Sequence, residues 1–154
     1  MADHVRGAAA LVQAFGAELA GPSAEASGFP VPCQRWLADG DELVPGLRAF
    51  EMQGSKTAGE LALVLEGTTL ITGDLVRAHR PTSLMLLRPE QGLSNGHAAL
   101  ASLERLLEVS TIEAVLVGDG WLQFREGGRL LRDLVERQRA TGLQAPGARQ
   151  PRSC

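Results

Sequence analysis

The stretch Thr68-Thr69-Leu70-Ile71-Thr72-Gly73-Asp74 decides the fold of this chain. It follows a second apolar run, Leu61-Ala62-Leu63-Val64-Leu65, from which only Glu66-Gly67 separates it. Two apolar runs joined by a two-residue turn with glycine predict a β-hairpin. The second strand ends in a glycine and a carboxylate, so Asp74 is expected on rigid backbone at the edge of a sheet, where functional side chains are often carried.

Around this hairpin the pattern of apolar residues alternates between helical and strand periods. Gly16 is a plausible end for the first helix, and residues 77–96 form a polar, proline-containing connection that we interpret as a loop. The order of elements predicts an α/β (α+β) fold. The predicted helices are residues 5–15, 97–109 and a last one around 130–135, and the further predicted strands are residues 18–21, 47–53 and 114–117.

Length and composition indicate one globular domain. The chain has 154 residues and a mass of 16.3 kDa, which suffices for one core. We assign the domain to residues 1–140 and predict that the Gly-, Pro-, Arg- and Gln-rich residues 141–154 are a disordered tail. The net charge is −3 and aromatic residues make up only 4%, so neither a basic surface nor a stacking surface for nucleic acid is expected.

The sequence does not predict a membrane protein or a secreted one. No apolar run reaches about 18 residues. The alanine-rich stretch 8–12 resembles the core of a secretion signal, but Gln13 and Glu18 interrupt it, and Asp3 offsets the charge of Arg6. Cys33 and Cys154 lie too far apart for a zinc knuckle or a redox pair, which favours a reduced, cytoplasmic compartment.

Three acidic positions could carry chemistry. Asp74 and Asp119 each follow a predicted strand and a glycine, and Asp3-His4 precedes the first helix. Carboxylates with an imidazole suit zinc, iron or manganese. The alternative is structural, because an aspartate after a strand often serves a turn and Asp3 is a fair N-cap. Neither a nucleophile elbow for a serine hydrolase nor a phosphate-binding loop is present in the sequence.

The order of motifs resembles that of the metallo-β-lactamase superfamily, from Asp3 to about Val135. The family carries a His-x-His-x-Asp-His box, a His-Thr-Pro-Gly-like turn, a Thr-Gly-Asp strand end and a Gly-His-Gly-like turn. A further family-like segment covers residues 37–47. The matching residues here are, in order, Asp3-His4, Lys56-Thr57-Ala58-Gly59, Thr72-Gly73-Asp74 and Gly118-Asp119-Gly120.

The resemblance implies an αββα sandwich of two sheets flanked by helices. It also implies that the strands preceding the first box are missing, roughly 50 to 70 residues on the usual domain size. An exposed sheet face and unpaired edges would favour association. A homodimer is therefore one expected arrangement.

The departures from the family motifs bear on function. Met1 stands where one early histidine of the box is expected, and Lys56 replaces the turn histidine, so the first of the family's two metal sites is effectively absent. The second site would keep Asp3, His4, Asp74 and Asp119. The resemblance then implies at most one divalent metal (zinc, iron or manganese), with Asp3 as a catalytic residue in weak hydrolysis of an ester, thioester or phosphoester.

Two alternatives stay open. In the first, the protein is a non-catalytic pseudoenzyme that binds a small anionic ligand or a partner through Lys56 and Arg77, with an ion-pair network of Lys56 and carboxylates in place of metal. In the second, the chain is a truncated product without independent function. The predicted loop 77–96, which holds His79 and Arg80, would wall the site but does not identify a substrate.

Overall fold

The computed structural model describes residue 5 and residues 7–142. It confirms the predicted mixed α/β class. The helices are α1 (Ala8–Phe15), α2 (Gly96–Val109) and α3 (Gly127–Ala140). The strands are β1 (Ala20–Pro22), β2 (Arg35–Leu37), β3 (Glu42–Val44), β4 (Leu47–Glu51), β5 (Leu61–Leu65), β6 (Thr69–Thr72), β7 (Val76–Arg80), β8 (Ser83–Leu86) and β9 (Ala114–Val117).

A five-stranded sheet in the order β3-β4-β5-β6-β9 forms the centre of the fold. Its neighbours are antiparallel except for β6 and β9, which run parallel and pair Thr72 with Val117. Parallel neighbours end at the same edge of a sheet. The residues that follow them, Asp74 and Asp119, therefore emerge side by side.

The hairpin predicted from the opening stretch is confirmed. β5 and β6 pair antiparallel, with Leu65 opposite Thr69. Glu66 and Gly67 both have positive φ, at 50° and 70°. Two left-handed residues match the right-handed twist of the flanking strands, which is why this turn favours glycine at its second position.

The interpretation of residues 77–96 as a loop is wrong for their first half. Residues 76–86 form a hairpin, β7–β8, with Pro81-Thr82 at its tip. Val76 and Ala78 are buried, whereas Arg77 between them is partly exposed and His79 is exposed, so β7 alternates as a half-buried strand does. The polar residues and the proline concealed that alternation, since proline is tolerated at a hairpin tip but counts against a strand.

The core lies between the sheets and the two long helices. α2 and α3 contact each other, and α3 also contacts β8 and β9. Burial of each large aliphatic side chain stabilises the fold by about 1.5–3 kcal/mol. Among the most buried are Leu70, Leu84, Leu103, Leu106, Leu131 and Leu134.

The first helix departs from this pattern. α1 has the predicted apolar spacing, yet none of its residues is buried, and Phe15 is 78% exposed. In the part of the chain that the structure describes, no helix has the length and apolar character needed to cross a bilayer.

Candidate functional site

The carboxyl end of β6 places Asp74 at the edge of the central sheet, where its side chain is buried. The backbone turns there from β6 into β7, and Thr72 supports the turn by donating a hydrogen bond from Oγ1 to the carbonyl oxygen of Val76, 3.1 Å away. Asp74 is thus held by the fold rather than by a mobile loop. This agrees with the position expected from the sequence.

Arg77, on β7, lies between the two carboxylates of the site. Its Nε donates to the carbonyl oxygen of Asp74 at 3.0 Å, which fixes the side chain. Nη2 is 3.6 Å from Asp74 Oδ1, and Nη1 is 3.3 Å from Asp119 Oδ2. Only 13% of the Arg77 side chain is exposed. One guanidinium therefore serves both acidic groups.

Asp119 has a second partner in His79, also on β7. His79 Nε2 lies 3.1 Å from Asp119 Oδ2, and both side chains are 46% exposed. This hydrogen bond lowers the pKa of Asp119 and outweighs the opposing effect of burial, and the charge of Arg77 lowers the pKa further. Asp119 is therefore ionised at neutral pH.

Gly120 allows Asp119 to sit this close to β7. Its φ is +118°, and a Cβ at this position would lie 2.1 Å from the carbonyl oxygen of Ala78. Backbone hydrogen bonds join the two segments on both sides of the glycine. Ala78 N donates to the backbone carbonyl oxygen of Asp119 at 3.1 Å, and Trp121 N donates to the carbonyl oxygen of Ala78 at 2.7 Å. No residue with a side chain fits there without moving β7.

The turn before β5 reaches the same edge of the sheet through Glu60, which is only 1% exposed. Its Oε1 accepts from Leu75 N and its Oε2 accepts from Ser55 Oγ, each at 3.1 Å. Burial raises the pKa of Glu60, and the negative charge of Asp74 adds to the rise. Sequence reasoning missed this residue, although a glutamate directly before an apolar strand was a visible signal.

The structure brings together three of the residues proposed from the sequence: Asp74, Asp119 and Arg77. It adds His79, which the sequence had placed only in the predicted loop 77–96. Lys56 is exposed on the turn before β5, and its side chain lies beside Gly92. A Cβ added to Gly92 would lie 3.0 Å from Cγ of Lys56. Pairing of Lys56 with Asp74 stays a prediction.

Asp3 and His4 lie outside the described residues, so their assignment as metal ligands, and that of Asp3 as catalytic, also stay predictions. Among residues 5 and 7–142, no group of three or more His, Cys, Asp or Glu side chains is arranged to hold a metal ion. Asp74 and Asp119 instead share a guanidinium. The described residues therefore do not fit a metal centre.

The profile of the metallo-beta-lactamase superfamily matches residues 1–138. The chain belongs to the metallo-β-lactamase superfamily. This confirms the resemblance inferred from the order of the motifs, and it establishes a hydrolase-like fold. A comparison of the sequence with curated proteins finds no match.

Solved structures of superfamily members have the same fold. A di-iron-bound form of TTHA1623 is 24% identical, with a TM-score of 0.62, over 86% of this chain and 70% of that one. The DIM-1 metallo-β-lactamase exposed to ceftazidime is 17% identical at a TM-score of 0.62, over 88% and 63%. FIM-1 from Pseudomonas aeruginosa in its mono-zinc form is 18% identical at 0.57, over 84% and 60%.

The chain thus spans 70% of the TTHA1623 structure and less than two thirds of both β-lactamases. At these identities the likeness concerns the fold. The metals named for TTHA1623 and FIM-1 belong to those proteins. What this superfamily member does at the ends of β6 and β9 depends on its own residues.

Proposed function

We propose that this superfamily member is a ligand-binding protein in which the guanidinium of Arg77 takes the place of a metal ion between Asp74 and Asp119. The observation that carries the proposal is the position of Arg77, 3.6 Å from Asp74 Oδ1 and 3.3 Å from Asp119 Oδ2. Arginine cannot lose its proton in a protein, so this cation is permanent.

The charges of the site support this role. Two carboxylates close together repel each other and need a cation between them to offset the repulsion. The guanidinium meets that need from within the chain, and its hydrogen bond to the Asp74 carbonyl holds it in position. A divalent ion entering the same space would face the positive charge of Arg77 at short range, which disfavours its binding.

The accessible part of the site is its outer side. Asp74 and the guanidinium are buried, whereas His79 and Asp119 keep 46% of their side chains exposed. An incoming molecule therefore meets an imidazole and a carboxylate that are already oriented. These groups serve recognition through hydrogen bonds, and the buried ion pairs keep them in place.

Metal content tests the proposal. Purified full-length protein, dialysed with an excess of zinc, iron or manganese and then freed of unbound ion, is expected to retain no stoichiometric metal by plasma emission spectrometry. The metal content of Arg77→Met, which removes the charge at similar side-chain length, is compared with that of Arg80→Met. Arg80 is exposed on the same strand.

One cation per chain in the wild type, lost in Asp74→Ala and retained in Arg80→Met, would overturn the proposal. It would favour a hydrolase with one metal on Asp3, His4, Asp74 and Asp119 instead. In that case hydrolysis of an ester, thioester or phosphoester would require the metal.

A further inference from the structure

The segment after Gly120 exposes an unusual amount of apolar surface beside the site. Trp121 is 61% exposed, Leu122 47% and Phe124 70%, while Gln123 between them is 6% exposed. The usual arrangement is reversed, because the amide points inward and three large apolar side chains face solvent. We call Trp121, Leu122 and Phe124 the apolar wall. Clustered exposed apolar groups of this kind mark binding surfaces.

Gln123 holds the wall in a defined position. Its backbone N and O both pair with Val115, at 2.9 and 2.7 Å. Its side-chain Oε1 accepts from Thr82 N at 3.1 Å, and its Nε2 donates to the Trp121 carbonyl at 3.0 Å. The buried amide thus fixes the backbone of the segment against β9 and the tip of the β7–β8 hairpin.

The wall, His79 and Gly120 line one open cavity of about 550 Å³. Sites for small molecules typically measure about 300–1,000 Å³ and combine apolar walls with a few oriented polar groups. The oriented polar group of the lining is His79, and its hydrogen-bond partner Asp119 directly precedes Gly120 in the chain. The size and the mixture of surfaces favour a small molecule over a macromolecule.

The polar edge of the cavity presents hydrogen-bond acceptors. Asp119 also faces Arg77, which keeps it ionised, and an ionised carboxylate only accepts, so the shared hydrogen bond is donated by His79 Nε2. Both contacts of Asp119 fall on Oδ2, so Oδ1 retains acceptor capacity. A molecule seated here needs a donor at its polar end.

We propose that this cavity binds a small aromatic molecule that carries a hydrogen-bond donor, such as a phenol or an aryl alcohol, with its rings on Trp121 and Phe124 and its donor at His79 and Asp119. The inference rests on the proposed function, because a metal bound to Asp119 would occupy the acceptor. Aromatic pairs favour offset-stacked and edge-to-face contacts, which two exposed rings at the rim of a cavity can supply.

The experiment uses the two tryptophans as reporters. In ¹⁵N-labelled full-length protein, the indole N–H signals of Trp36 and Trp121 are followed while 2-naphthol is added, and Trp36→Phe assigns them. Trp36 packs edge-on against Phe29 at a centroid distance of 5.7 Å, away from the wall residues in sequence, and so serves as the internal control. The Trp121 signal is expected to shift and saturate while the Trp36 signal stays in place.

Matched ligands and variants test each part. 2-Methoxynaphthalene has the same rings without the donor and is expected to bind at least about tenfold more weakly, since a hydrogen bond to a charged or well-placed acceptor contributes that much. Phe124→Ala is expected to weaken 2-naphthol binding, and His79→Phe, which removes the partner that orients Asp119, to reduce the preference for the donor. Phe15→Ala, which removes another exposed ring, is the control and should leave binding unchanged.

Three results would overturn the inference: equal shifts of both indole signals, no saturable shift of Trp121, or equal affinity for the two naphthalenes. A homodimer that Trp121→Asp converts to monomer would overturn it as well, by showing that the wall is an interface between copies. Metal analysis of the same samples separates the proposals. If the protein is metal-free and does not bind 2-naphthol, only the proposed ligand class is contradicted. Stoichiometric metal that is lost in Asp74→Ala contradicts the proposed function itself.

Discussion

Arg77 Nη1 lies 3.3 Å from Asp119 Oδ2 and thereby joins β7 to the turn that follows β9. The two residues are 42 positions apart in the sequence, and the parallel pairing of β6 with β9 brings their segments together. The contact supplies a cation at the edge of the sheet where the superfamily places its Thr-Gly-Asp strand end. The expected effects of Arg77 on stability and on binding at the site follow from this contact.

Replacement of Arg77 by alanine is expected to lower the free energy of unfolding by about 3 kcal/mol, the lower end for loss of one partner of a buried ion pair. Asp74 would be left buried without this cation, while Asp119, half exposed, would be solvated. Arg80→Ala is the control on the same strand and should change stability by less than about 0.5 kcal/mol. Urea denaturation followed by circular dichroism measures both, and equal losses in the two variants would contradict the assigned role of Arg77.

Glu60→Gln is expected to remove part of the pH dependence of stability. Because the pKa of Glu60 is raised in the folded state, the native protein binds more protons than the unfolded chain above about pH 4.3, the usual glutamate value. The contribution of Glu60 to the free energy of unfolding is therefore fully present below that pH. It is lost as pH rises through the raised pKa, by up to about 1.4 kcal/mol per pH unit. Glutamine keeps an acceptor for Leu75 N but carries no charge.

Thermal melts of Glu60→Gln from pH 4 to pH 8 measure this effect. The variant should lose less stability toward pH 8 than the wild type, whereas Glu108→Gln, on the exposed side of α2, should follow the wild type. Parallel curves for the wild type and Glu60→Gln would show that the buried carboxyl group does not titrate in this range.

Gly120→Ala is expected to be strongly destabilising, by about 3 kcal/mol or more, since its Cβ would overlap the carbonyl oxygen of Ala78 in a backbone conformation that alanine also disfavours. Gly118→Ala, two residues earlier, places its Cβ 3.4 Å from the Thr72 oxygen and has an ordinary φ, so it should be tolerated. Chemical denaturation compares the pair. A well-folded Gly120→Ala protein would mean that the turn after β9 does not approach β7 so closely.

Glu66→Asn is expected to stabilise the protein by about 0.5–1 kcal/mol, because Glu66 adopts a φ of 50° that asparagine tolerates far better, and Asn-Gly is the preferred pair for this turn. Glu66→Ala, which cannot relieve the strain, is the comparison and should show no gain. Melting temperatures of the two variants test whether backbone strain at residue 66 is relieved. An equal rise in both would attribute the gain to loss of the surface charge rather than to relief of that strain.

The sequence alone determined the three helices, the β5–β6 hairpin and the family. The runs before and after Glu66-Gly67 are apolar and bounded by turn residues, so the β5–β6 hairpin could be predicted from neighbouring positions. The positions of Asp74 and Asp119 at strand ends followed from the same local pattern. The order of the motifs added the family, because several weak signals at fitting distances along the chain are together specific.

Only the tertiary structure decided that Arg77 lies between Asp74 and Asp119. That position depends on distances across strands, and nothing in a linear pattern encodes them. The β7–β8 hairpin brings Arg77 and His79 to Asp119, yet its proline and alternating polar residues appeared as a loop in the sequence. A site built from side chains on non-adjacent strands is set by strand pairing and by close approaches such as that of Gly120 to Ala78, and these are properties of the folded chain.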